Sequence, residues 1–301
     1  MKNVVIFGSG LVGSAVRENL ESNPDYKLYS YGRSDLDLTD FSEVLEKIRA
    51  IQPTLVVLCA GVVGGFERNT NEPFTLCMDN ARIVTNVIEA CRKLEIKDFI
   101  NLVPASVYPS TIQRRMKPED LWTGPMEWSG VPYGASRLLG VTLVNSSRQQ
   151  FGYNWVSLIS TNVDGDDSGL QSHRDHVIPS FLRKFTLAAS SNFSEIELLG
   201  DGSPIREFLH ASDLGEAVKF VYERGEFIEP IFNVSGKSSV TISELAQIIA
   251  GIANYTGEIR FAKDAKNGAK VKLLDASMLH SLGWEPKINL QMGIKRVFAN
   301  L

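Results

Sequence analysis

At residues 8–13 the sequence reads Gly8-Ser9-Gly10-Leu11-Val12-Gly13, directly after the apolar run Val4-Val5-Ile6-Phe7 and before an amphipathic stretch from about Val12 to Ser22. Three glycines at this spacing between a buried strand and a helix are typical of a turn that binds the pyrophosphate of a dinucleotide. The first glycine permits the bend, the second leaves room for the phosphates, and the third lets the helix pack on the strand. A tight turn without a ligand is the alternative, and the position between strand and helix favours the binding site.

Outward from this turn, short apolar runs alternate with helix-like stretches as far as about Asn162. The pattern predicts further strands at 27–31, 55–58, 99–103 and 155–159, and helices at 41–51, 80–94 and 136–150. Strands that are apolar on both faces and separated by helices belong to a parallel sheet covered on both sides. The sequence therefore predicts an α/β fold with a Rossmann doubly wound parallel sheet.

The rhythm changes after Asn162, where residues 163–176 are polar and rich in turn-forming residues. Beyond them we predict helices at 177–189, 212–223 and 243–253, the last with Ser243 as N-cap, and strands at 196–199 and 231–234. We expect a dinucleotide-binding domain of residues 1–162 plus about 208–254. A smaller α/β substrate-binding domain would comprise about 163–207 and 255–301.

Composition narrows the class of protein. The chain has 301 residues, of which 44% are hydrophobic and 22% are charged, a composition typical of a globular protein. Its formal net charge of −4 argues against nucleic acid as a partner, because phosphate binding needs a basic surface. No apolar run approaches the roughly 20 residues of a membrane span. Cys59, Cys77 and Cys91 form no CxxC pair and indicate free thiols in a reducing compartment. We expect a cytoplasmic protein without a membrane partner or a metal site.

The residues after the second predicted strand bear on the choice of cofactor. An acidic residue at this place would bind the ribose 2′-hydroxyl of NAD, whereas the chain has Gly32-Arg33-Ser34. A guanidinium and a hydroxyl suit a 2′-phosphate, so NADP(H) is favoured and NAD(H) remains possible. Asp35 could bind the ribose or pair with Arg33. Asp37 is a candidate for the adenine, and Asp40 could cap the next helix.

Several further stretches, read in order, resemble the extended short-chain dehydrogenase/reductase (NAD-dependent epimerase/dehydratase) family over nearly the whole chain, and within it most resemble GDP-L-fucose synthases. The stretches that carry the resemblance are Cys59-Ala60-Gly61-Val62-Val63-Gly64-Gly65, Pro132-Tyr133-Gly134-Ala135-Ser136-Arg137, His176-Val177-Ile178-Pro179, Gly202-Ser203-Pro204-Ile205-Arg206-Glu207-Phe208-Leu209-His210 and Lys272-Leu273-Leu274-Asp275.

The resemblance implies catalytic roles, and two of the positions depart from the family pattern. Tyr133 would donate the proton in reduction of a keto sugar, unless it is merely a core tyrosine at a helix start. Arg137 stands where the family has lysine, and Pro104 where it has a hydroxyl residue. Ser106 could supply that hydroxyl, but it occupies the position of the cysteine that acts in epimerisation. His176 would be the other epimerisation group, with capping of the following helix as the alternative.

The resemblance also implies two sets of binding residues. The candidates for cofactor binding are Gly8, Ser9, Gly10, Leu11, Val12, Gly13, Arg33, Ser34, Asp37, Ala60, Gly61, Tyr133, Arg137 and His176. The candidates for substrate binding are Asn162, Arg183, Arg206 and Lys272, and His210 is expected to be structural. Val271 and Leu199 replace an arginine and a tryptophan of the family pattern, so the sugar or the base can differ from the usual one.

The expected function is an NADP-dependent reductase, with or without epimerase activity, of a nucleotide-linked 4-keto-6-deoxy sugar, with a GDP-sugar favoured. One alternative is a nucleotide-sugar epimerase with tightly held NAD(P). Another is a cofactor-binding protein with weakened catalysis, which the residues Pro104 and Arg137 suggest. A homodimer is expected through the helices at 80–94 and 136–150.

Overall fold

The computed structural model describes residues 1–166, 177–262 and 268–300. Its strands are β1 (Lys2–Phe7), β2 (Tyr26–Tyr31), β3 (Leu55–Leu58), β4 (Asp98–Pro104), β5 (Arg115–Met116), β6 (Asn154–Ser160), β7 (Asn162–Asp164), β8 (Glu195–Leu199), β9 (Ile205–His210), β10 (Ile231–Val234), β11 (Ser239–Thr241), β12 (Glu258–Ala262) and β13 (Val271–Leu274). Its helices are α1 (Leu11–Glu21), α2 (Phe41–Ile51), α3 (Gly65–Asn71), α4 (Pro73–Lys93), α5 (Val131–Phe151), α6 (Val177–Ser190), α7 (Ala211–Glu223), α8 (Ile242–Ile252), α9 (Ser277–Ser281) and α10 (Leu290–Ala299).

The main sheet has six parallel strands in the order β10-β6-β4-β3-β1-β2, which confirms the predicted doubly wound fold. β1 lies between β2 and β3, so the chain turns to opposite sides after β1 and after β2. In an open parallel sheet, ligands bind beyond the carboxyl ends of the strands at such a switch point. The glycine turn at 8–13 lies at this place.

Alternating residues of β1 supply the two cores that cover the sheet. Val4 and Ile6 pack in one core with residues of α1 and α7, whereas Val5 and Phe7 pack in the other with residues of α2 and α4. All four side chains are fully buried. An apolar run on both faces is what a strand between two helical layers requires, because successive side chains point to opposite faces.

The second part of the molecule is built around β9. This strand pairs with β7, β11 and β13, and β13 pairs in turn with β5. β8 and β12 form a separate parallel pair. Apolar residues of α6, α8 and α10 close one core over these strands. The result is the smaller α/β unit that the sequence predicts.

The chain returns to the main sheet at β10 and then joins the smaller unit, since α8 packs with α6 and α10. The predicted division, with residues as far as about 254 in the first domain, stays a prediction. We propose that the boundary lies between β10 and β11, because the contacts of α8 belong to the second core.

Helix starts match the sequence prediction in one case and differ in others. Asp40 caps α2, where its carboxylate accepts hydrogen bonds from the amides of residues 42 and 43. Ser243 was the predicted cap of α8, and this is wrong: Thr241 caps the helix in a capping box with Glu244. The reason is the reciprocal pair of hydrogen bonds, which needs an acidic side chain three residues after the cap. α4 begins at Pro73, earlier than the predicted residue 80.

Cys59, Cys77 and Cys91 are free thiols, as the sequence predicts. Among the described residues, no helix combines the length and apolarity that a membrane crossing would need.

Candidate active site

The three glycines of the first turn differ in their surroundings, in the way that a pyrophosphate turn requires. Gly8 has a φ of +107°, and a Cβ there would lie 2.7 Å from the backbone nitrogen of Ala60. A Cβ on Gly13 would lie 1.7 Å from the carbonyl oxygen of Gly8. A Cβ on Gly10 would meet nothing within 4 Å, so this residue faces open space. Gly8 and Gly13 are needed for packing, and Gly10 borders the space for a ligand.

The start of α1 is suited to an anion. Gly10 is its N-cap, no side chain caps the helix, and its first turn carries no acidic residue. The amides of a helix start and the helix dipole attract phosphate. The predicted residues Leu11 and Val12 form the first turn of this helix, so their backbone amides belong to the anion site.

The end of β2 lies beside the glycine turn. A Cβ on Gly32 would lie 2.1 Å from the Ser9 hydroxyl, so the two turns are in close contact. Asp35 accepts a hydrogen bond from the Gly32 amide at 2.7 Å and therefore holds this turn. Arg33 and Ser34 are exposed. They remain the candidates for the 2′-phosphate.

Asp37 is engaged within its own loop. Its carboxylate accepts hydrogen bonds from the backbone amide and the hydroxyl of Thr39, at 2.8 and 2.7 Å. These bonds, together with the nearby Arg33 charge, lower the pKa of the Asp37 carboxyl. A contact of Asp37 with adenine stays a prediction.

Tyr133 and Arg137 meet above Gly61, at the carboxyl end of β3. A Cβ on Gly61 would lie 3.5 Å from Nη1 of Arg137 and 3.7 Å from the hydroxyl oxygen of Tyr133. The two side chains are four residues apart on α5 and therefore share one face of the helix. The structure thus brings together the catalytic pair and the cofactor-binding loop that the sequence predicts at Ala60 and Gly61.

Backbone carbonyls fix the Arg137 guanidinium. Nη1 donates to the carbonyl of Ala60 at 2.9 Å, and Nη2 donates to the carbonyl of Leu102 at 2.6 Å. The residue is only 2% exposed, and its Nε has no hydrogen-bond partner among the described residues. Burial lowers the pKa of Arg137, and the neighbouring Tyr133 and Cys59 act in the opposite direction. Arginine stays charged at any working pH, so a fixed cation lies beside Tyr133.

The pKa of Tyr133 is raised by burial, and the Arg137 charge partly offsets the effect. A tyrosine with a raised pKa keeps its proton at neutral pH, as a proton donor must. The Arg137 charge stabilises the tyrosinate that remains after the transfer. The pair is therefore suited to deliver a proton.

Ser106 offers a second hydroxyl near this point. It lies in the short 3-10 turn after β4, and its backbone oxygen is 3.0 Å from the position that a Cβ on Gly134 would take, one residue after Tyr133. Its hydroxyl oxygen is buried and has no hydrogen-bond partner among the described residues. Pro104 ends β4 and has no hydroxyl to offer. An unpaired buried hydroxyl costs stability, and a ligand beside Tyr133 would supply the missing partner.

Two cations face each other on the substrate side. Arg206 on β9 is directly paired with Lys272 on β13, and both side chains are half-buried. Burial and then the neighbouring Arg206 lower the pKa of Lys272. Two like charges held side by side on neighbouring strands favour a dianionic ligand such as a diphosphate.

The remaining predicted residues lie around this pair or outside the described ranges. Asn162 donates from its amide to the carbonyl of Glu207 at 3.1 Å and so is tied to β9. Arg183 is half-buried on α6. His210 caps α7 by accepting a hydrogen bond from the Ser212 amide, which fits its expected structural role. His176 lies outside the described residues, so both interpretations of it stay predictions.

Two residues of the site were not predicted. Asn80 pins the loop after β3, because its side chain both accepts from and donates to the backbone of Val62 at 2.9 Å. A fully buried asparagine between the apolar positions Leu76 and Val84 of one helix is a signal that could have identified it. Glu127, in the loop before α5, accepts a hydrogen bond from the Ala269 amide at 2.6 Å. The sequence gives no periodic signal for a residue of this kind.

The residues of this region fit a dinucleotide. Gly10 borders open space, and α1 has an uncapped start. The polar atoms Arg137 Nε and Ser106 Oγ are buried and have no hydrogen-bond partner within residues 1–166, 177–262 and 268–300. They lie at the switch point of the sheet and beside Tyr133. One ligand lying from the glycine turn to Tyr133 would account for all four observations.

The chain is similar to known proteins over most of its length. The family model described as "NAD dependent epimerase/dehydratase family" matches residues 4–235. The chain is 32% identical over 290 residues to "Probable GDP-L-fucose synthase 1" of Oryza sativa subsp. japonica, covering 96% of this chain and 88% of the relative. It is also 32% identical to "GDP-L-fucose synthase" of Escherichia coli (strain K12), covering 96% and 92%.

A solved structure shows the same arrangement over the full chain. The structure titled "MlghC, GDP-mannoheptose C4 reductase from Campylobacter jejuni with NADP bound" superposes with a TM-score of 0.89 at 26% identity. The match covers 99% of this chain and 98% of that one.

Proposed function

The chain belongs to the NAD dependent epimerase/dehydratase family, an extended short-chain dehydrogenase/reductase family, and we propose that it reduces a nucleotide-linked 4-keto-6-deoxy sugar with NADPH. A GDP-sugar is the favoured substrate. The observation that carries the proposal is the convergence of the Tyr133 hydroxyl and the Arg137 guanidinium on Gly61, beside the glycine turn.

NADPH would be held by the turn at 8–13, with Arg33 and Ser34 at its 2′-phosphate and the loop of Ala60 and Gly61 along its length. Exposed guanidinium and hydroxyl groups at the end of β2 suit a phosphate better than a ribose hydroxyl. When bound, the cofactor supplies a hydride to the carbonyl carbon of the substrate. The structure titled with NADP bound supports this choice of cofactor.

Tyr133 would donate its proton to the C4 oxygen as the hydride reaches C4, so that the ketone becomes an alcohol. Arg137 would stabilise the resulting tyrosinate and would hold the ends of β3 and β4 in place through two carbonyls. Because an arginine does not release a proton, it acts only as a fixed charge. Ser106 would donate a hydrogen bond to the same C4 oxygen, which gives a use to its unpartnered hydroxyl.

The nucleotide part of the substrate would be held at the other side of the site. Arg206 and Lys272 would bind the diphosphate, and Asn162 and Arg183 lie on neighbouring elements where they could contact the sugar. The names of the relatives support a GDP-sugar. Because Val271 and Leu199 replace an arginine and a tryptophan of the family pattern, we propose that the sugar can differ from that of the fucose synthases.

We propose reduction without epimerisation, because a serine hydroxyl is a far weaker acid than a thiol. Ser106 occupies the position at which the resemblance implies an acid–base cysteine. Proton exchange at the carbons beside the ketone would then rest on His176 alone. Incubation in deuterated water tests this, since epimerisation incorporates deuterium at those carbons and reduction by itself does not.

The experiment that tests the function follows NADPH oxidation with GDP-, UDP- and dTDP-linked 4-keto-6-deoxy sugars. We expect turnover with the GDP-sugar and a fall of at least about 10²-fold in kcat for Tyr133→Phe, which removes only the hydroxyl. Tyr153→Phe is the matched control, because this tyrosine packs in the core with Trp155 just before β6 begins, at the opposite end of the sheet from the site.

Other outcomes support the alternatives. Cofactor that co-purifies in a near one-to-one ratio, with interconversion of sugars and no net NADPH consumption, would indicate an epimerase. NADPH binding without turnover of any of the three sugars would indicate a cofactor-binding protein, and would contradict the proposed reduction.

A further inference from the structure

Glu127 links the two halves of the site. It lies in the loop before α5, and its backbone carbonyl accepts a hydrogen bond from the Gly130 amide at 2.9 Å, just before the helix that carries Tyr133 begins. Its side-chain Oε2 accepts a hydrogen bond from the Ala269 amide at 2.6 Å. Ala269 lies two residues before β13, the strand that carries Lys272. One residue therefore joins the strand of the phosphate-binding cation to the helix of the proton donor.

The carboxylate of Glu127 also lies close to the cation pair. A Cβ on Gly268 would lie 3.4 Å from Glu127 Oε2 and 3.5 Å from Arg206 Nη2, so both groups border the same small space. The carboxylate and the guanidinium are nevertheless not within ion-pair distance of each other.

Without Glu127, the positive charges of Arg206 and Lys272 would have no negative charge nearby to balance them. Burial lowers the pKa of both Arg206 and Lys272, and the Glu127 charge opposes the decrease in each case. Neither cation forms an ion pair with a carboxylate among the described residues, and Glu127 is the acidic residue whose charge acts on both. Glu127 is therefore the residue that offsets the mutual repulsion of Arg206 and Lys272.

We propose that Glu127 is a positioning residue of the diphosphate site: its charge offsets the Arg206–Lys272 pair in the free protein, and its bond to Ala269 keeps the Lys272 strand aligned with the Tyr133 helix. The inference rests on the proposed function, since it takes the diphosphate of a nucleotide sugar as the ligand of the two cations. A bound diphosphate adds a second set of negative charges near Glu127. The carboxylate then weakens binding and favours release of the product.

Two variants separate the charge from the bond. Glu127→Gln removes the charge and keeps an oxygen that can accept from the Ala269 amide, whereas Glu127→Ala removes both. Glu119→Gln is the matched control, because it makes the same charge change at an exposed residue of the same loop. Calorimetric titration with GDP and steady-state kinetics with the nucleotide sugar are measured for all of them.

We expect Glu127→Gln to bind GDP about three- to tenfold more tightly at low salt, with a gain that shrinks as salt is added. We expect kcat of Glu127→Ala to be about tenfold below that of Glu127→Gln, because only the alanine variant loses the alignment. A merely structural residue would lower the unfolding temperature without tightening GDP binding, so unfolding temperatures are measured as well.

The inference is overturned on its own if the wild type binds GDP and Glu127→Gln binds it equally or more weakly. If kcat is the same in both Glu127 variants, the alignment role is excluded. A wild type that binds neither GDP, UDP nor dTDP overturns the proposed nucleotide-sugar site, and the role of Glu127 falls with it.

Discussion

Gly10 and Gly13 lie three residues apart, and an added methyl group should affect different properties at the two positions. It should weaken ligand binding at Gly10 and destabilise the fold at Gly13. At Gly10 the methyl meets nothing in the free protein and points into the space of the proposed ligand. We expect Gly10→Ala to leave the free energy of unfolding unchanged within about 0.5 kcal/mol. Its affinity for NADPH should fall at least about tenfold. Chemical denaturation and fluorescence titration measure the two quantities.

Gly13→Ala is the counterpart, because its methyl would overlap the carbonyl of Gly8 at 1.7 Å. We expect it to destabilise the fold by about 1–3 kcal/mol or more, the usual range for overpacking. Equal losses of stability in the two variants would contradict the assignment of Gly10 to ligand binding.

Lys272 predicts a dependence of diphosphate binding on pH. Burial and the neighbouring Arg206 lower its pKa from 10.5 in the free protein. Its charge is lost as the pH rises through this lowered pKa, so GDP affinity should fall at a pH where an ordinary lysine is still charged. In Lys272→Arg the side chain stays charged, and this part of the fall should disappear.

Calorimetric titrations of both proteins between about pH 7 and pH 10 give the comparison. Because the guanine base also titrates in this range, only the difference between the two curves reports on Lys272. Parallel curves would exclude Lys272 from the diphosphate site.

Helix α8 gives a prediction about how an element begins. Thr241 accepts from the Glu244 amide at 3.0 Å, and the Glu244 carboxylate accepts from the Thr241 amide at 2.7 Å. Thr241→Ala should cost about 1 kcal/mol of stability, as is usual for the loss of an N-cap. Ser243→Ala should cost no more than about 0.5 kcal/mol, because its side chain is not the cap. Urea denaturation of both variants decides between the two residues.

Elements with a clear apolar pattern could be predicted from the sequence, because the pattern lies in their own residues. Phe41–Ile51, Leu55–Leu58 and Ile231–Val234 have the predicted bounds, since apolar spacing and local caps define each of them. Strands such as Arg115–Met116 could not be predicted. They are two to four residues long and exist only because a distant strand pairs with them.

The candidate site likewise contains features that could be predicted from the sequence and features that could not. The glycine turn and the Tyr133–Arg137 spacing are local patterns, so the sequence contains them in full. The carbonyl partners of Arg137 and the bond from Glu127 to Ala269 join residues far apart in the chain. No pattern of neighbouring residues can indicate such contacts, which arise only when the sheet and the smaller unit are assembled.

The faces of α4 and α5 bear on the state of the whole molecule. The two helices pack side by side, and both keep large apolar residues exposed: Phe74 at 77% and Met78 on α4, and Leu139 on α5. We propose that this surface is the interface of a homodimer. Apolar side chains exposed next to one another in this way are more common at protein–protein interfaces than on the surface of a monomer.

Sedimentation equilibrium tests the dimer. We expect twice the mass of one chain for the wild type and a single-chain mass for Phe74→Glu, because a buried charge without a partner disfavours the interface. Leu187→Glu is the control, since Leu187 is 60% exposed on α6, away from the two helices. A monomeric wild type would refute the proposal.

The late return of the chain to the main sheet has a consequence for how the protein is made. β6 ends at residue 160, and its outer neighbour β10 begins only at residue 231. During synthesis the edge of β6 therefore stays unpaired until most of the chain has left the ribosome, and pairing then has to close a long loop. We expect such an arrangement to fold slowly, with an aggregation-prone strand edge exposed until β10 pairs. Chaperones that shield unpaired edges should therefore raise the yield of this protein more than they raise its final stability.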